Sequence, residues 1–198
     1  MIHKTFFDIP IVNYSFGLIV IREKGISLRI LIVKKPDAKT LGITSYCKNG
    51  HHVLLFDFDG NSLEEVFFQM KTIQKYYNLP DIYLFENDTE RSFHAICLAK
   101  MPLFKAIEII SQTTADKSFK KAPLRYPLRR WVLRVEKKGK RKKPKFLLKL
   151  KGNNNKYKQS NPHRLFLQMN YGIKISKKGF DNEKELDLFE YYTANRTE

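Results

Sequence analysis

An α+β fold, with a mostly antiparallel sheet flanked by helices, is what this 198-residue sequence predicts, and three observations carry it. Short apolar runs come in pairs joined by tight polar turns, which is the signature of hairpins. Two segments repeat apolar residues at the 3/4 spacing of a helix that buries one face. Along the chain these patterns follow the order β-β, β-α-β-β-α and β-β-α.

Each element has a local reason. Residues 16–22 and 27–34 are β-rich, and Glu23-Lys24-Gly25-Ile26 between them reads as a hairpin turn. A polar connection over 35–50 leads to a strand at 51–58, built on Val53-Leu54-Leu55-Phe56. Gly60-Asn61-Ser62 breaks that strand, and Ser62 with Glu65 forms a capping box for a helix reaching about Asn78. Leu63, Val66, Phe67, Met70, Ile73 and Tyr77 give this helix its apolar face, and Pro80 closes it. Strands at 82–86 and 92–98 enclose the acidic turn Asn87-Asp88-Thr89-Glu90. Pro102 opens a second helix to about Thr113, with Leu103, Ala106, Ile107 and Ile110 inward. Residues 117–130, carrying Pro123 and Pro127, are expected to be extended or only briefly helical. Residues 131–136 and 146–150 read as strands flanking a basic turn, and Asn161-Pro162 starts a helix to about Tyr171. These elements suggest one domain over residues 1–175 and a charged tail over 176–198, partly helical at 182–192.

The composition, 42% hydrophobic and 13% aromatic, is that of a globular chain. Net charge is +17, and it is concentrated: residues 117–151 hold 16 Lys/Arg against the single acid Glu136. Elsewhere 21 basic residues nearly balance 19 acidic ones. So many uncompensated charges in one segment repel each other unless a polyanion meets them, and nucleic acid is the commonest such partner. Arg129, Arg130, Lys137, Lys138, Lys140, Arg141, Lys142 and Lys143 are the expected contacts to it. The run at 137–144 also resembles a nuclear-localisation signal, but an arm gripping template phosphates suits its place better. Phe119, Tyr126, Trp131 and Phe146 lie near it as candidate base-stacking residues, with Trp131 and Phe146 favoured as core. Cys47 and Cys97 are too few for a zinc knuckle or disulfide framework, which suggests a reducing, cytoplasmic setting. The apolar stretch at 16–21 is too short to span a bilayer and lacks a signal-peptide cleavage pattern, so no membrane is expected.

The chemistry concentrates in two short segments. Asp57 and Asp59 end the strand at 51–58, and their spacing puts both carboxylates on one face. Paired oxygen ligands suit hard divalent cations, which bridge readily to phosphates. Ser92 and His94 open a later strand with the same spacing, one hydroxyl and one imidazole on one face. Asp116 closes the second helix just before the basic segment, and Arg134 offers a planar fork for phosphate. A strand followed by Asp-x-Asp-Gly also fits the haloacid-dehalogenase phosphatases, but Asn61 stands where that family carries Thr or Val.

The order Asp57-x-Asp59, then Ser92-x-His94, then Ala115-Asp116 resembles the catalytic core of the archaeo-eukaryotic primase superfamily, including the primase-polymerases of plasmids and viruses. The resemblance spans residues 53–134. It implies an RRM-like catalytic core in which Asp57, Asp59 and Asp116 bind Mg²⁺ or Mn²⁺, with Glu136 as the alternative third ligand. It further implies that Ser92, His94 and Arg134 contact the phosphates of a nucleoside triphosphate. The implied activity is template-directed nucleotidyl transfer on single-stranded DNA in replication of a mobile element or virus, alongside a replicon-encoded helicase or initiator. A non-catalytic nucleic-acid-binding replication protein is the alternative reading, and a metal-dependent nuclease the third.

Overall fold

The computed structural model describes residues 2–8, 14–22, 26–34, 40–47, 50–87, 91–124, 129–137, 140–153, 156–176, 178–181 and 189–192. Contacts divide the chain into two compact units, Met1–Lys39 with Thr193–Glu198, and Thr40–Tyr192. The first unit holds an antiparallel meander of β1 (Ile2–Asp8), β2 (Tyr14–Arg22) and β3 (Ile26–Lys34). Its β2–β3 pairing is the expected hairpin, and β1 extends it, with Ile2 opposite Ile21.

The second unit is α+β. Its larger sheet has the order β5 (His51–Asp59), β7 (Ser92–Pro102), β6 (Ile82–Glu86), β9 (Lys145–Leu150), antiparallel throughout. Since β5 and β6 both run against β7, they share a direction, and α1 (Leu63–Tyr77) connects them. This is a split β-α-β unit with the β7 hairpin partner slotted between its strands. The smaller sheet has the order β10 (Phe189–Tyr192), β4 (Thr40–Thr44), β8 (Val132–Arg134). Helices α2 (Leu103–Ser111), α3 (Lys117–Lys121) and α4 (Asn161–Tyr171) complete the unit, with a 3₁₀ turn at Ala122–Leu124. No helix among the described residues is long and apolar enough to cross a membrane.

Three expectations change. The strands around 131–136 and 146–150 do not pair with each other: β8 joins β4, and β9 joins β6. Within the tail, Phe189–Tyr192 is strand β10 on β4, not helix, while 182–188 lies outside the described residues. The connection read over 35–50 contains strand β4. The brief helix expected after Asp116 is α3.

Burial explains why the larger sheet holds. Alternation along β5 puts Leu54, Phe56 and Phe58 on one face, opposite Cys97, Ala95 and Phe93 of β7, and all six are buried. The Phe56 and Phe58 rings stack at 6.2 Å, and burying each stabilises the fold by roughly 1.5–3 kcal/mol. The capping box expected at Ser62 and Glu65 is present at the start of α1, and Asn78 in the left-handed region ends that helix.

Two buried histidines tie elements together. His163 of α4 reaches the Thr44 carbonyl through Nε2 at 2.8 Å and Ser160 Oγ through Nδ1 at 2.7 Å. A carbonyl only accepts, so Nε2 carries the proton and Nδ1 accepts from the serine. His52 takes Ser45 Oγ at 3.0 Å and stands edge-on to Trp131. Burial pushes both imidazoles down to about 4. The folded state therefore binds fewer protons than the unfolded chain between about pH 6.5 and 4. Stability from these groups should be complete above pH 6.5 and fall with acidification, by up to about 1.4 kcal/mol per pH unit for each. Urea denaturation of wild type and His163→Gln between pH 7 and pH 4 tests this. The variant should be less stable at pH 7 and show a shallower pH slope, whereas parallel slopes would place the acid sensitivity elsewhere.

Candidate functional site

The site lies where β5 ends and β7 begins. Asp57 stands directly opposite His94 and Asp59 directly opposite Ser92, so the four side chains share one face of the sheet. Asp57 Oδ1 lies 3.4 Å from His94 Nε2, and the aspartate side chain is 28% exposed where the histidine's is 6%. The carboxylate thus reaches solvent while the imidazole backs it from within. Ser92 Oγ donates to Asp59 Oδ1 at 2.8 Å. Gly60, with φ +85°, turns the chain away from β5 directly after Asp59, and its N–H donates to the Arg91 carbonyl at 2.7 Å. That bond closes the tip of the β5–β7 ladder beside the two carboxylates.

Asp116 is brought to the same place by its backbone. Its N–H donates to the carbonyl oxygen of Asp57 at 2.8 Å. The preceding loop is fastened by Thr114, whose hydroxyl accepts from Asn61 at 2.9 Å and Gln69 at 2.7 Å, and whose N–H donates to Gln69 Oε1. The Asp116 side chain caps α3, with Oδ1 accepting from the Phe119 N–H at 2.7 Å. The donors gathered here are carboxylate oxygens, the type hard divalent cations take, and Asp57 and Asp59 fit such an ion in chemistry. Among the described residues no three His, Cys, Asp or Glu side chains are grouped so as to hold a metal ion. Two carboxylates share a sheet face; Asp116 is joined to the first of them through its backbone N–H, and one oxygen of its side chain is engaged in its cap.

Arg134 has a different position from the expected phosphate ligand. It is buried, with Nη1 donating to the carbonyls of Glu136 and Lys142 at 2.7 Å each and Nη2 to Asn87 Oδ1 at 3.3 Å. Asn87 Nδ2 then donates to Ser92 Oγ at 2.9 Å. A hydrogen-bonded chain therefore runs Arg134, Asn87, Ser92, Asp59. Asn87 is the member that sequence reasoning misses: its place in the turn 87–90 gives no sign of the role, and only the fold shows its amide joining two motifs. Glu136, the alternative metal ligand, meets Arg134 through its carbonyl while its side chain is exposed.

Of the expected nucleic-acid contacts, Arg129, Lys137, Lys140, Arg141, Lys142 and Lys143 are exposed and Arg130 half-buried, while Lys138 lies outside the described residues. Lys143 is tied to α4, donating to the Asn170 carbonyl at 2.9 Å and lying over the Tyr171 ring. Trp131 and Phe119 are buried in the core and Phe146 packs on Phe85 at 5.7 Å, so these aromatics serve packing; Tyr126 is outside the described residues.

No protein-family profile, curated protein or solved structure matches the chain.

The Asn87 bridge generates a stability test. Asn87→Ala leaves the buried Ser92 hydroxyl without its amide donor and takes an acceptor from Arg134, which should cost about 1–3 kcal/mol. Ser92→Ala should remove part of the same network, so the double variant should lose less than the sum of the two single losses. Strict additivity in chemical denaturation would show that the chain does not act as a unit.

Proposed function

We propose that the protein is a metal-dependent nucleotidyltransferase of the primase or primase-polymerase type, acting on single-stranded DNA. One observation carries this reading. Three motifs, separated by 35 and 22 residues in sequence, meet at one sheet tip: Asp57 with His94, Asp59 with Ser92, and Asp116 hydrogen-bonded to the Asp57 backbone. A strand tip presenting two carboxylates to solvent, next to a hydroxyl and an imidazole and close in sequence to a strongly basic segment, suits a substrate that carries both phosphate and cation.

In the proposed reaction a 3′-hydroxyl attacks the α-phosphorus of a nucleoside triphosphate; a Pα–O bond forms as the Pα–O bond to the β-phosphate breaks, pyrophosphate leaves, and the hydroxyl proton passes to solvent. Mg²⁺ or Mn²⁺ held by Asp57 and Asp59 would stabilise charge on the attacking and leaving oxygens. Asp116 is the candidate third carboxylate. Ser92 and His94 orient the phosphate tail from the adjacent strand. Arg134 acts indirectly, because its guanidinium holds Asn87 and Asn87 holds Ser92. The exposed cations of residues 129–143 hold template phosphates, which fixes register without reading sequence.

The capping role of Asp116 favours a second reading, a nucleic-acid-binding replication protein without catalysis, and the same experiment separates the two. Wild type is incubated with single-stranded DNA, labelled nucleotides and Mn²⁺ or Mg²⁺, and products are sized on a gel. Asp57→Ala and Asp59→Ala should each abolish extension, by a factor of about 10³ or more, while DNA binding persists. Asp116→Asn resolves its double role, since asparagine caps a helix as well as aspartate does but carries no charge. A stable Asp116→Asn variant without activity supports the third-ligand role, and full activity in it would reduce Asp116 to a cap. Absence of any metal-dependent product from the wild type would favour the binding protein.

A further inference from the structure

A second charged feature lies at the other end of the same sheet. An open cleft of about 430 Å³ sits between the C-terminal half of α1 and the segment after β9. Lys71, Thr72, Lys75 and Asn78 line it from the helix, and Lys151 and Asn153 from the opposite side. The registers place it away from the acidic pair. Strand β6 runs from Ile82 beside Leu150 to Glu86 beside Lys145, and Phe93, the partner of Glu86 on β7, follows directly on Ser92.

The cleft is a built feature of the fold. Gly152 lies against backbone there, so that a Cβ on it would come within 2.3 Å of the Leu79 carbonyl oxygen. Its N–H donates to Asp81 Oδ1 at 3.0 Å. Buried Gln74 binds the carbonyls of Pro80 at 2.8 Å and Leu150 at 3.1 Å, locking the two walls together. The three lysines are exposed, and among the described residues no carboxylate pairs with them or lines the cleft. The nearby acid Asp81 is engaged with Lys149 at 3.2 Å and with the Gly152 N–H. One turn before Lys71, on the same stripe of α1, Phe68 is 66% exposed.

We propose that this cleft is a second contact for the phosphodiester backbone of single-stranded nucleic acid, with Phe68 as a stacking platform beside it. Three exposed lysines, paired with no carboxylate among the described residues and set among neutral amides and a hydroxyl, are complementary to a polyanion. An exposed aromatic beside a basic groove is the arrangement by which single strands are held without sequence preference. Continuity supports nucleic acid over a small phosphate. Lys151 is the last cation of the basic segment, and β9, which ends the described order of the larger sheet, leads from exposed Lys145 to the cleft over about 20 Å. A strand of nucleic acid spans that distance, and a lone phosphate does not. The binding stands apart from the chemistry assigned to Asp57 and Asp59, and its test uses neither nucleotide nor metal.

The probe is a fluorescent oligothymidylate, with anisotropy measured against salt for wild type and for the combined Lys71→Gln, Lys75→Gln and Lys151→Gln variant. Losing three phosphate contacts should flatten the slope of log affinity on log salt by about 2 units and weaken binding roughly 10- to 100-fold at 0.1 M salt. Phe68→Ala should weaken binding by about fivefold or more with the slope unchanged. Replacing exposed Lys174 and Lys178 by Gln, two charges against three, controls for most of the change in net charge and should leave the slope as in wild type. An unchanged slope in the triple variant overturns the proposal, and so does an equal loss in the control. Inorganic tripolyphosphate binding that needs the three lysines while oligothymidylate binding does not would assign the cleft to a small phosphate and overturn it as well. All variants alter exposed side chains, and circular dichroism verifies that each is folded.

Discussion

The pairing register between β5 and β7 is the constraint on which the site depends. Side chains alternate along each strand, so a slip of one residue exchanges the faces entirely. In the observed register Leu54, Phe56 and Phe58 meet Cys97, Ala95 and Phe93, and every apolar group of that row is buried. The same register leaves Asp57 and Asp59 on the opposite face with His94 and Ser92 as partners. Slippage would drive two carboxylates into an apolar layer, where an unpaired charge is far more costly than any contact the new register supplies. Hydrophobic burial on one face thus positions polar chemistry on the other. The irregularity between His52 and Leu54 sits at the far end of the strand, away from the carboxylates.

Around this ladder, Arg134 organises the basic segment in an unexpected way. A buried guanidinium needs its donors satisfied, and Nη1 takes the carbonyls of Glu136 and Lys142. Those two hydrogen bonds fasten both carbonyls to one guanidinium, and the described cations between them in sequence, Lys137, Lys140 and Arg141, are exposed. One arginine is thus used as structural glue so that its neighbours face solvent. Through Asn87 the same side chain is linked to Ser92 and Asp59, so the basic loop and the acidic tip share a hydrogen-bond network. Networks of this kind are strong when every member is satisfied and fragile when one is removed.

Much of this was legible in the sequence where signals are local. The capping box at Ser62 and Glu65, the apolar face of α1, the β6–β7 hairpin and the Pro162 start of α4 each depend on residues within a turn or two. The alternation that puts Asp57 and Asp59 on one face is local too. What was missed depends on partners far along the chain. Strand β4 carries Gly42 in mid-strand and is held by β8 and β10, from more than 85 residues away. Phe189–Tyr192 lies in a charged stretch with helical character, and only its pairing with β4 makes it a strand. Arg134 sits in a segment full of surface cations, and no local pattern distinguishes the one that is buried. The pairing of β8 and β9 with different sheets is likewise a long-range outcome. Hairpin signals name two strands and a turn, but not the neighbours that compete for each edge.

The central claim is that the β5–β7 tip is a cation and nucleotide site. It is tested most directly by titrating Mn²⁺ into isotopically labelled protein and recording which amide and imidazole resonances broaden. The account predicts paramagnetic broadening centred on Asp57–Asp59, Ser92–His94 and Asp116, sharpened by a nucleoside triphosphate and lost in Asp57→Ala. Broadening centred elsewhere on the chain, or spread without preference over its acidic residues, would contradict it.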